Sequence, residues 1–400
     1  MKVLQINCVY PLGSTGKIVH DIHEYLLDKG IESVICYGRG KKVNEENVYR
    51  VSNDIYSKFQ NLYSRLSGYA YGGCFLSTNY LINIIKKEKP DIVHIHCING
   101  YFVNIYKLIL WLNKNKIKTV VSNHAEFYYT ANCSHSFECE KYHQGCGQCP
   151  NLKKATKSIF FDKTAKSFEK MRKAFEGFDD SIMVSTSKWG FKRAMLSPIM
   201  KDLKHEVVLN GINTDIFKYY DEKKEENAVL HVTAHFDTTM YHSKGGWAIL
   251  ELAKKLPSVK FYVACNNADI HHELPDNIVI LGRINDQKEL AKWYSRVKCS
   301  IITSERETFS MPVAESLCCG TPVVGFKAGA PELISIPEFS EFIEYGNIEV
   351  LYDIVLKWIR KSIEQELISK EAKKVYSKEM MAQTYLDIYG DLKCGRKLNN

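Results

Sequence analysis

The sequence lacks the features of an integral membrane or secreted protein. No apolar run approaches the roughly 18 residues of a membrane-spanning helix. The first eight residues predict a strand entering a turn, which does not resemble a secretory signal. Repeats and low-complexity segments are also absent. We therefore expect a cytoplasmic protein that meets a membrane only at its periphery, on the inner face.

Charge and composition are typical of a globular protein and do not by themselves select one class of function. The net charge of +8 is modest for 400 residues, so it permits an anionic partner such as a nucleotide, a membrane surface or a nucleic acid without selecting one. Hydrophobic residues make up 45% of the chain, and its length exceeds what a single core usually supports. Two domains are expected. The 13 cysteines, without a secretory signal, indicate thiols or metal ligands more than disulfides.

One stretch, residues 299–326, predicts a strand, a loop, a helix, a turn and a second strand. Pro312 marks the first helical turn, whose free N–H groups suit a phosphate. Glu307 lies in the loop before the helix and Glu315 about one turn into it. Two carboxylates so placed can flank a diphosphate that joins a sugar to a ribose. The alternative is an amphipathic helix with exposed acids.

The spacing of Glu307 and Glu315, followed by Cys-Gly-Thr-Pro-Val-Val, resembles the donor-site signature of bacterial family 4 retaining glycosyltransferases. The resemblance implies an α/β protein of the GT-B fold, with two Rossmann-like doubly wound parallel-sheet domains facing a central cleft. It implies that Glu307 holds the donor sugar and Glu315 the ribose hydroxyls. The backbone of Thr308, Phe309 and Ser310 then meets the phosphates.

The same resemblance sets the domain boundaries. Residues 1–205 are expected to form the acceptor-side domain, with a Cys-rich insert at 131–150, and residues 206–374 the donor domain. A final helix at about 375–400 is expected to pack back on the first domain. The motif at residues 207–213 marks the crossing between domains in family members.

A glycine-rich loop follows the first predicted strand, with the sequence Gly13-Ser14-Thr15-Gly16-Lys17. The P-loop formula fails, because Pro11 stands at its first glycine and Ile18 follows the lysine. The loop resembles the first loop of family 4 enzymes that build surface polysaccharides, which implies donor binding. The alternative is that the glycines only form a tight turn.

Three histidines lie on or after predicted strands. His94 and His96 share one face of a strand, and we expect them to be packed or hydrogen-bonded rather than to bind a metal. His124 follows a strand at the edge where open α/β sheets bind ligands. Its surroundings resemble the His-Asp-x-Trp segment of the family, with Ala125 and Phe127 at the Asp and Trp positions, which implies that His124 reaches the donor sugar.

Two further segments resemble parts of the family's donor site. Lys244 opens a predicted helix and resembles the lysine that neutralises the donor diphosphate. Thr239 stands where the family usually has an arginine. Gly282 and Arg283 correspond to a turn that meets the nucleotide base through its backbone. A surface lysine at a helix start is the alternative for Lys244.

A cysteine cluster comprises Cys133, Cys139, Cys146 and Cys149, closed by a knuckle-like Cys-Gly-Gln-Cys. Four thiolates satisfy a closed tetrahedral zinc site, so a structural zinc is predicted and a catalytic zinc is not. Reduced thiols in a loop, or disulfides, are the alternatives. A similar cluster occurs in a subset of the resembling enzymes. No cofactor is expected for catalysis.

Residues 152–176 alternate basic and apolar side chains. They predict a basic amphipathic helix, which either rests on an anionic bilayer or packs its apolar stripe on the core.

The expected function is transfer of a hexose or deoxyhexose, with retention, from a nucleotide-diphosphate sugar to a lipid-linked saccharide in surface polysaccharide synthesis. The alternatives are a nucleotide-sugar epimerase of the same fold and a zinc-containing basic binding protein. No nucleic-acid partner is expected, because binding alone does not require Glu307, Glu315 and Lys244.

Overall fold

A computed structural model describes residues 1–395 of the chain. It divides the chain into two compact units, which we call unit 1 and unit 2. Unit 1 comprises Met1–Leu209 and the described residues from Met381 onward, and unit 2 comprises Asn210–Met380. Residues 396–400 of the predicted final helix lie outside the described residues.

Unit 1 is built on a seven-stranded sheet in the order β3-β2-β1-β4-β5-β6-β7, with all neighbours parallel. Its strands are β1 (Lys2–Asn7), β2 (Glu32–Tyr37), β3 (Val48–Arg50), β4 (Ile92–Ile95), β5 (Thr119–Asn123), β6 (Ser181–Ser185) and β7 (Lys204–Val207). Its helices are α1 (Ser14–Asp28), α2 (Asp54–Ser67), α3 (Phe75–Glu88), α4 (Ile105–Lys114), α5 (Phe127–Thr130), α6 (Thr164–Phe175) and α7 (Lys188–Met195), and the last helix, α14 (Lys378–Cys394), joins it from Met381.

The central strands of unit 1 are buried on both faces, as a parallel sheet covered by helices requires. Successive side chains point to opposite faces, so Leu4 and Ile6 enter one core cluster and Val3 enters the other. The second cluster is covered by α1 and by apolar residues of α14, including Tyr385 and Tyr389.

Unit 2 is built on a six-stranded parallel sheet in the order β10-β9-β8-β11-β12-β13. Its strands are β8 (Ala228–Asp237), β9 (Lys260–Asp269), β10 (Ile278–Gly282), β11 (Cys299–Ile302), β12 (Val323–Phe326) and β13 (Ser340–Ile343). Its helices are α8 (Gly246–Lys255), α9 (Gln287–Arg296), α10 (Met311–Cys318), α11 (Pro331–Ile334), α12 (Ile348–Arg360) and α13 (Gln365–Tyr376). Two doubly wound parallel sheets confirm the predicted fold class.

Two left-handed residues end helical segments in unit 1. α2 ends at Gly68, which is left-handed with φ 69°. A β-carbon at Gly68 would lie 1.9 Å from the carbonyl oxygen of Phe161, so this turn requires glycine. The segment 152–176 forms a helix only over α6, since Lys157 adopts φ 57° after a π-helical turn.

The predicted basic amphipathic helix therefore needs correction. On α6 the apolar side chains of Phe168, Met171 and Phe175 are buried, so the alternative of a core-facing stripe holds for the helix itself. The exposed apolar side chains precede it, at Phe160 and Phe161, which are 67% and 55% exposed.

Candidate active site

The carboxyl edge of the sheet in unit 2 brings two loops together. β8 and β11 are neighbours, but the chain continues from them to opposite sides of the sheet, which makes this edge a topological switch point. Open α/β sheets bind ligands at such points. The loop after β8 carries Lys244 and the loop after β11 carries Glu307.

The two predicted donor-site residues of these loops form an ion pair. The Nζ atom of Lys244 lies 2.8 Å from Oε1 of Glu307, and both side chains are partly exposed, at 32% and 21%. Gly245 and Gly246 allow this approach. β-Carbons there would lie 2.0 Å from the carbonyl oxygen of Thr303 and 2.4 Å from that of Asp237. A cation and a carboxylate are thus held side by side, open to a ligand.

The backbone of Glu307 is fixed from the neighbouring strand. Its N–H donates to the carbonyl of Ala328 at 2.9 Å, and its carbonyl accepts from the N–H of Ala330 at 3.2 Å. The carboxylate of Glu332 accepts from the N–H groups of Ala328 and Gly329, both at 3.0 Å. The residue that braces the loop is therefore Glu332, which sequence reasoning did not assign to the site.

The start of α10 has the features of an anion site. Ser310 precedes the helix with φ 80° and its own side chain makes no capping hydrogen bond, while the N–H of Val313 donates to the carbonyl of Ser310 at 3.1 Å. A non-glycine residue at such a φ is strained, and such strain clusters at functional sites. Phe309 is buried, at 3% exposure, so only its backbone can meet a ligand. Thr308 lies in the same loop.

Glu315 lies one turn into α10, at the wall of a cavity of about 260 Å³. The hydroxyl of Tyr294 donates to Oε2 of Glu315 at 3.1 Å, and burial raises the pKa of Tyr294, which keeps it a donor. The wall also includes residues from β8, β9, the β10–α9 turn, α9 and the start of α10: Val232, Thr233, Ala234, Ala264, Cys265, Asn266, Arg283, Ile284, Leu290, Met311 and Pro312. Gly282 precedes Arg283 with φ 68°. Glu315 and Arg283 therefore place a carboxylate and a guanidinium at the wall of the same cavity.

In unit 1, most of the predicted glycine-rich loop is helical, because Gly13 precedes α1 and residues 14–17 form its first turn. Gly13 has φ 79°, and a β-carbon at Gly16 would lie 3.2 Å from the carbonyl oxygen of Val9. The amide nitrogen of Asn7 donates to that oxygen at 2.8 Å and to Oγ1 of Thr15 at 3.3 Å. Ser14 is the first residue of α1. The glycines therefore have a turn-forming role, and donor binding by this loop stays a prediction.

The strand histidine His94 is fully buried and hydrogen-bonded. Its Nδ1 lies 2.6 Å from the hydroxyl of Tyr389 and its Nε2 lies 2.7 Å from Oγ of Ser122. Ser122 in turn lies 2.7 Å from the hydroxyl of Tyr385. The prediction of a hydrogen-bonded histidine is confirmed, and the network ties β4 and β5 to α14.

A second buried histidine, His96, lies next to His124 at the carboxyl edge of the unit 1 sheet. His96 has its Nε2 3.0 Å from Oε1 of Gln5 and its Nδ1 3.3 Å from Nε2 of His124. His124 follows β5 at the carboxyl edge, where it is partly exposed. Burial lowers the pKa of His124 to about 4. A neutral imidazole at this edge is suited to hydrogen-bond a sugar hydroxyl.

These histidines predict a pH-dependent stability. Burial lowers the pKa of His94 and His96 well below 6.5, so the unfolded chain binds their protons first as the pH falls. The free energy of unfolding is expected to fall on acidification below pH 6.5, by up to about 1.4 kcal/mol per pH unit for each histidine. Chemical unfolding between pH 7.5 and about 5.5 measures this slope.

The matched comparison uses two substitutions. His94→Gln is expected to lower stability at neutral pH and to flatten the slope by about one proton. His272→Ala, at an exposed histidine, is expected to leave the slope unchanged. Equal slopes for wild type and His94→Gln would contradict the assignment of a neutral buried His94.

A buried ion pair follows His124. The carboxylate of Glu126 is fully buried and lies 2.7 Å from Nε of Arg193. It also accepts from the hydroxyl of Tyr129 at 2.7 Å and from the N–H of Ser136. The guanidinium lies over the ring of Tyr142 at 5.2 Å. The pair holds the segment 131–150 against α7, a role the sequence motif did not predict.

The four predicted zinc ligands lie in the segment 131–150 of unit 1. The four cysteines are free thiols, and burial raises the pKa of Cys133 and Cys146 to about 12. Zinc–sulfur bonds of about 2.3 Å would place ligand sulfurs about 3.8 Å apart. Among the described residues, the cysteines form no group of three ligand atoms within 4.8 Å. Zinc binding by Cys139 and Cys149 with the other two stays a prediction, and no step is derived from it.

Comparison with known proteins gives two family matches. A Glycosyltransferase Family 4 model matches residues 15–157, and a Glycosyl transferases group 1 model matches residues 264–375. Together they cover more than half of the chain. The second includes Arg283, Glu307 and Glu315, whereas Lys244 lies between the two matched ranges.

One curated relative and two solved structures illustrate the similarity. The chain is 25% identical over 166 residues to the putative colanic acid biosynthesis glycosyl transferase WcaC of Escherichia coli K12, which is 38% of this chain and 40% of that protein's length. It matches sucrose-phosphate synthase from Thermosynechococcus elongatus with TM-score 0.72, 13% identity and coverage of 99% and 100%. It matches Anabaena HepE, in complex with UDP-glucose, with TM-score 0.63, 12% identity and coverage of 98% and 100%. These likenesses confirm the GT-B fold.

Proposed function

Because the chain belongs to the family 4 glycosyltransferases of the GT-B fold, we propose that it transfers a hexose or deoxyhexose, with retention, from a nucleotide-diphosphate sugar to a lipid-linked saccharide. The observation that carries the proposal is the Lys244–Glu307 pair, held 2.8 Å apart at the switch point of unit 2. A protein that only binds a partner does not require an ammonium and a carboxylate that are both exposed to a ligand at this edge.

We assign each part of the donor to a different group of residues at the carboxyl edge of the unit 2 sheet. The cavity beside Glu315 takes the nucleoside, with the carboxylate on the ribose hydroxyls and the turn at Gly282 and Arg283 near the base. The start of α10, with the positive end of its dipole, and the ammonium of Lys244 take the diphosphate, where they stabilise the leaving group's negative charge. Glu307 then holds the sugar. HepE, of the same fold, is seen with UDP-glucose, which supports a nucleotide-sugar donor.

The groups of unit 1 are assigned to the sugar. His124, neutral near pH 7 because burial lowers its pKa to about 4, is proposed to hydrogen-bond a sugar hydroxyl. The loop at Gly13 to Gly16 is proposed to line the donor site with its backbone. No cofactor is needed in this scheme, because electrostatic groups supply the stabilisation.

The acceptor is proposed to be lipid-linked and part of a surface polysaccharide. The relative in Escherichia coli is named for colanic acid biosynthesis, which supports this class of acceptor. In the described chain, no helix has both the length and the apolar character for crossing a bilayer. A lipid-linked acceptor is itself held in a membrane, so we propose that the protein has a surface that docks there.

Unit 1 carries such a surface, which we call the apolar patch. It consists of exposed side chains of α2 and of the segment before α6: Ile55, Phe59, Leu62, Tyr63, Leu66, Ile159, Phe160 and Phe161. The segments touch, since the N–H of Ile159 donates to the carbonyl of Arg65 at 2.8 Å. Lysines such as Lys163 border it. Exposed apolar patches with basic borders suit an anionic bilayer, so we propose peripheral attachment to the inner face of the plasma membrane.

One assay tests donor, acceptor and membrane together. Full-length protein is mixed with UDP-, GDP- and dTDP-sugars and a lipid-linked saccharide in neutral or anionic vesicles, and released nucleotide diphosphate is measured. Release is expected only with acceptor, and faster on anionic vesicles. The variant Phe160→Ser/Phe161→Ser is expected to lose the anionic advantage, and the control Leu333→Ser in unit 2, also exposed, is expected to keep it.

Each other outcome has a meaning. Conversion of the sugar nucleotide with no acceptor contradicts transfer and favours an epimerase. Equal rates on neutral and anionic vesicles contradict membrane docking by the apolar patch and leave transfer standing.

A further inference from the structure

A cluster of imidazoles and carboxylates lies where β8 and β9 end. His235 and Asp237 are two residues apart on β8 and so point to the same face of the strand. Asp269 ends β9, paired in register with Asp237. His242 comes from the loop that follows β8. None of these residues belongs to the donor-site assignment above.

Asp237 is at the centre of the cluster, with a side chain only 13% exposed. Its carboxylate oxygens lie 3.7 Å from Nε2 of His235, 3.8 Å from Nε2 of His242 and 3.6 Å from Nε2 of His271. All three separations are too long for a hydrogen bond. Three ring nitrogens thus surround one carboxylate without bonding to it directly.

Such separations are a few tenths of an ångström longer than those of ligands that share a cation. Metal bonds of about 2.0–2.1 Å in a tetrahedral site place two ligand atoms about 3.3–3.4 Å apart. The ligand atoms of His235, Asp237 and His242 all lie within 4.8 Å of one another. Small movements of side chains that are about one-third exposed bring them to bonding distance.

We propose that His235, Asp237 and His242 bind a divalent first-row transition metal, with zinc as the principal candidate. Two imidazoles and one carboxylate are ligands that zinc, cobalt, nickel and copper accept, whereas magnesium and calcium prefer oxygen. Water, or the more exposed imidazole of His271, completes the coordination. The carboxylate of Asp269 lies 3.1 Å from Nε2 of His235, the ring nitrogen nearest Asp237, so this nitrogen exchanges Asp269 for the cation when the metal binds.

The metal fixes the loop that carries Lys244. Its ligands lie at both ends of residues 235–242, and the loop closes directly afterwards where the N–H of Gly245 donates to the carbonyl of His242 at 2.8 Å. A bound cation therefore orders residues 238–245 and holds Lys244 beside Glu307. The role is positional, and the metal takes no part in sugar transfer.

The test is a metal titration that needs no donor or acceptor. Full-length protein, freed of metal with a chelator, is titrated with Co²⁺ by absorption and with Zn²⁺ by calorimetry. Wild type is expected to bind one equivalent of Co²⁺ whose spectrum has no thiolate-to-cobalt charge-transfer band, separate from any equivalent that the cysteine cluster binds with such a band. His235→Ala/His242→Ala is expected to lose that equivalent or to bind at least about tenfold more weakly.

Controls keep the result interpretable. His272→Ala removes an adjacent exposed histidine and is expected to bind as wild type. Hydrogen exchange of residues 238–245 is expected to slow on Zn²⁺ addition in wild type and not in the double variant, whose fold is checked by thermal unfolding without metal. Unchanged Co²⁺ binding by the double variant, or binding by wild type through thiolates alone, overturns the proposal. Neither outcome bears on donor binding, which is measured separately with nucleotides.

Discussion

Lys244→Ala is expected to lower kcat/KM for sugar transfer by about 100- to 1000-fold, the usual effect of removing one electrostatic group from the transition state. The substitution removes the ammonium assigned to the donor diphosphate and leaves Glu307 without the partner now 2.8 Å away. The change should appear in kcat as well as in KM, because the charge on the diphosphate grows as the sugar leaves. Steady-state kinetics with the preferred donor measures both.

The matched control is Lys254→Ala on α8. Lys254 also forms a 2.8 Å ion pair, with Glu251, but it is half exposed and lies outside the loops of the site. It is expected to change kcat/KM by no more than about twofold. Equal effects of the two substitutions would contradict the assignment of Lys244 to the diphosphate.

Arg193→Ala is expected to destabilise the protein by about 3–5 kcal/mol, because it leaves the fully buried carboxylate of Glu126 without its cation. It also removes the guanidinium that covers the rings of Tyr142 and Trp189, at 5.2 and 5.0 Å. Denaturant unfolding of wild type and variant measures the difference. The segment 131–150 is expected to become the first site of proteolysis.

Two further variants distinguish the stability cost of leaving a charge buried alone from the cost of breaking an ion pair. Arg172→Ala breaks a 2.9 Å pair with Glu169 whose side chains are 36% and 47% exposed, and is expected to cost far less stability than Arg193→Ala, because solvent screens an exposed pair. Glu126→Ala/Arg193→Ala is expected to cost less than the sum of the single substitutions, since neither charge is then left buried alone. A cost for Arg193→Ala as small as that for Arg172→Ala would contradict the structural role of the pair.

Much of the donor edge could be predicted from sequence, because its residues follow strands. Lys244 and Glu307 lie in the loops that follow two strands of a parallel sheet, and the carboxyl ends of such strands share one edge. Their ion pair follows from that topology. The turn at Gly68 was not predicted, because its need for glycine arises from Phe161, which is 93 positions away in the chain.

The remaining features depend on contacts that no local pattern encodes. Glu126 and Arg193 are 67 residues apart, and charged residues are expected at the surface unless a partner is known. The basic stretch at 152–176 has a helical pattern throughout, yet Lys157 turns left-handed and ends it. The spacing of His235 and Asp237 was visible in sequence, but it signifies a site only once β9 and the following loop place Asp269 and His242 beside it.

The most direct test of the central claim is a thermal-shift screen of UDP, GDP, dTDP and their sugars. Ligand at a hundred times its dissociation constant adds about 2.7 kcal/mol of stability, which is readily seen. One nucleotide is expected to raise the Tm of wild type and of the control Glu251→Ala, an exposed glutamate on α8, and not that of Glu315→Ala. Failure of every nucleotide to shift wild type, or an equal shift of Glu315→Ala, would contradict a donor site at α10.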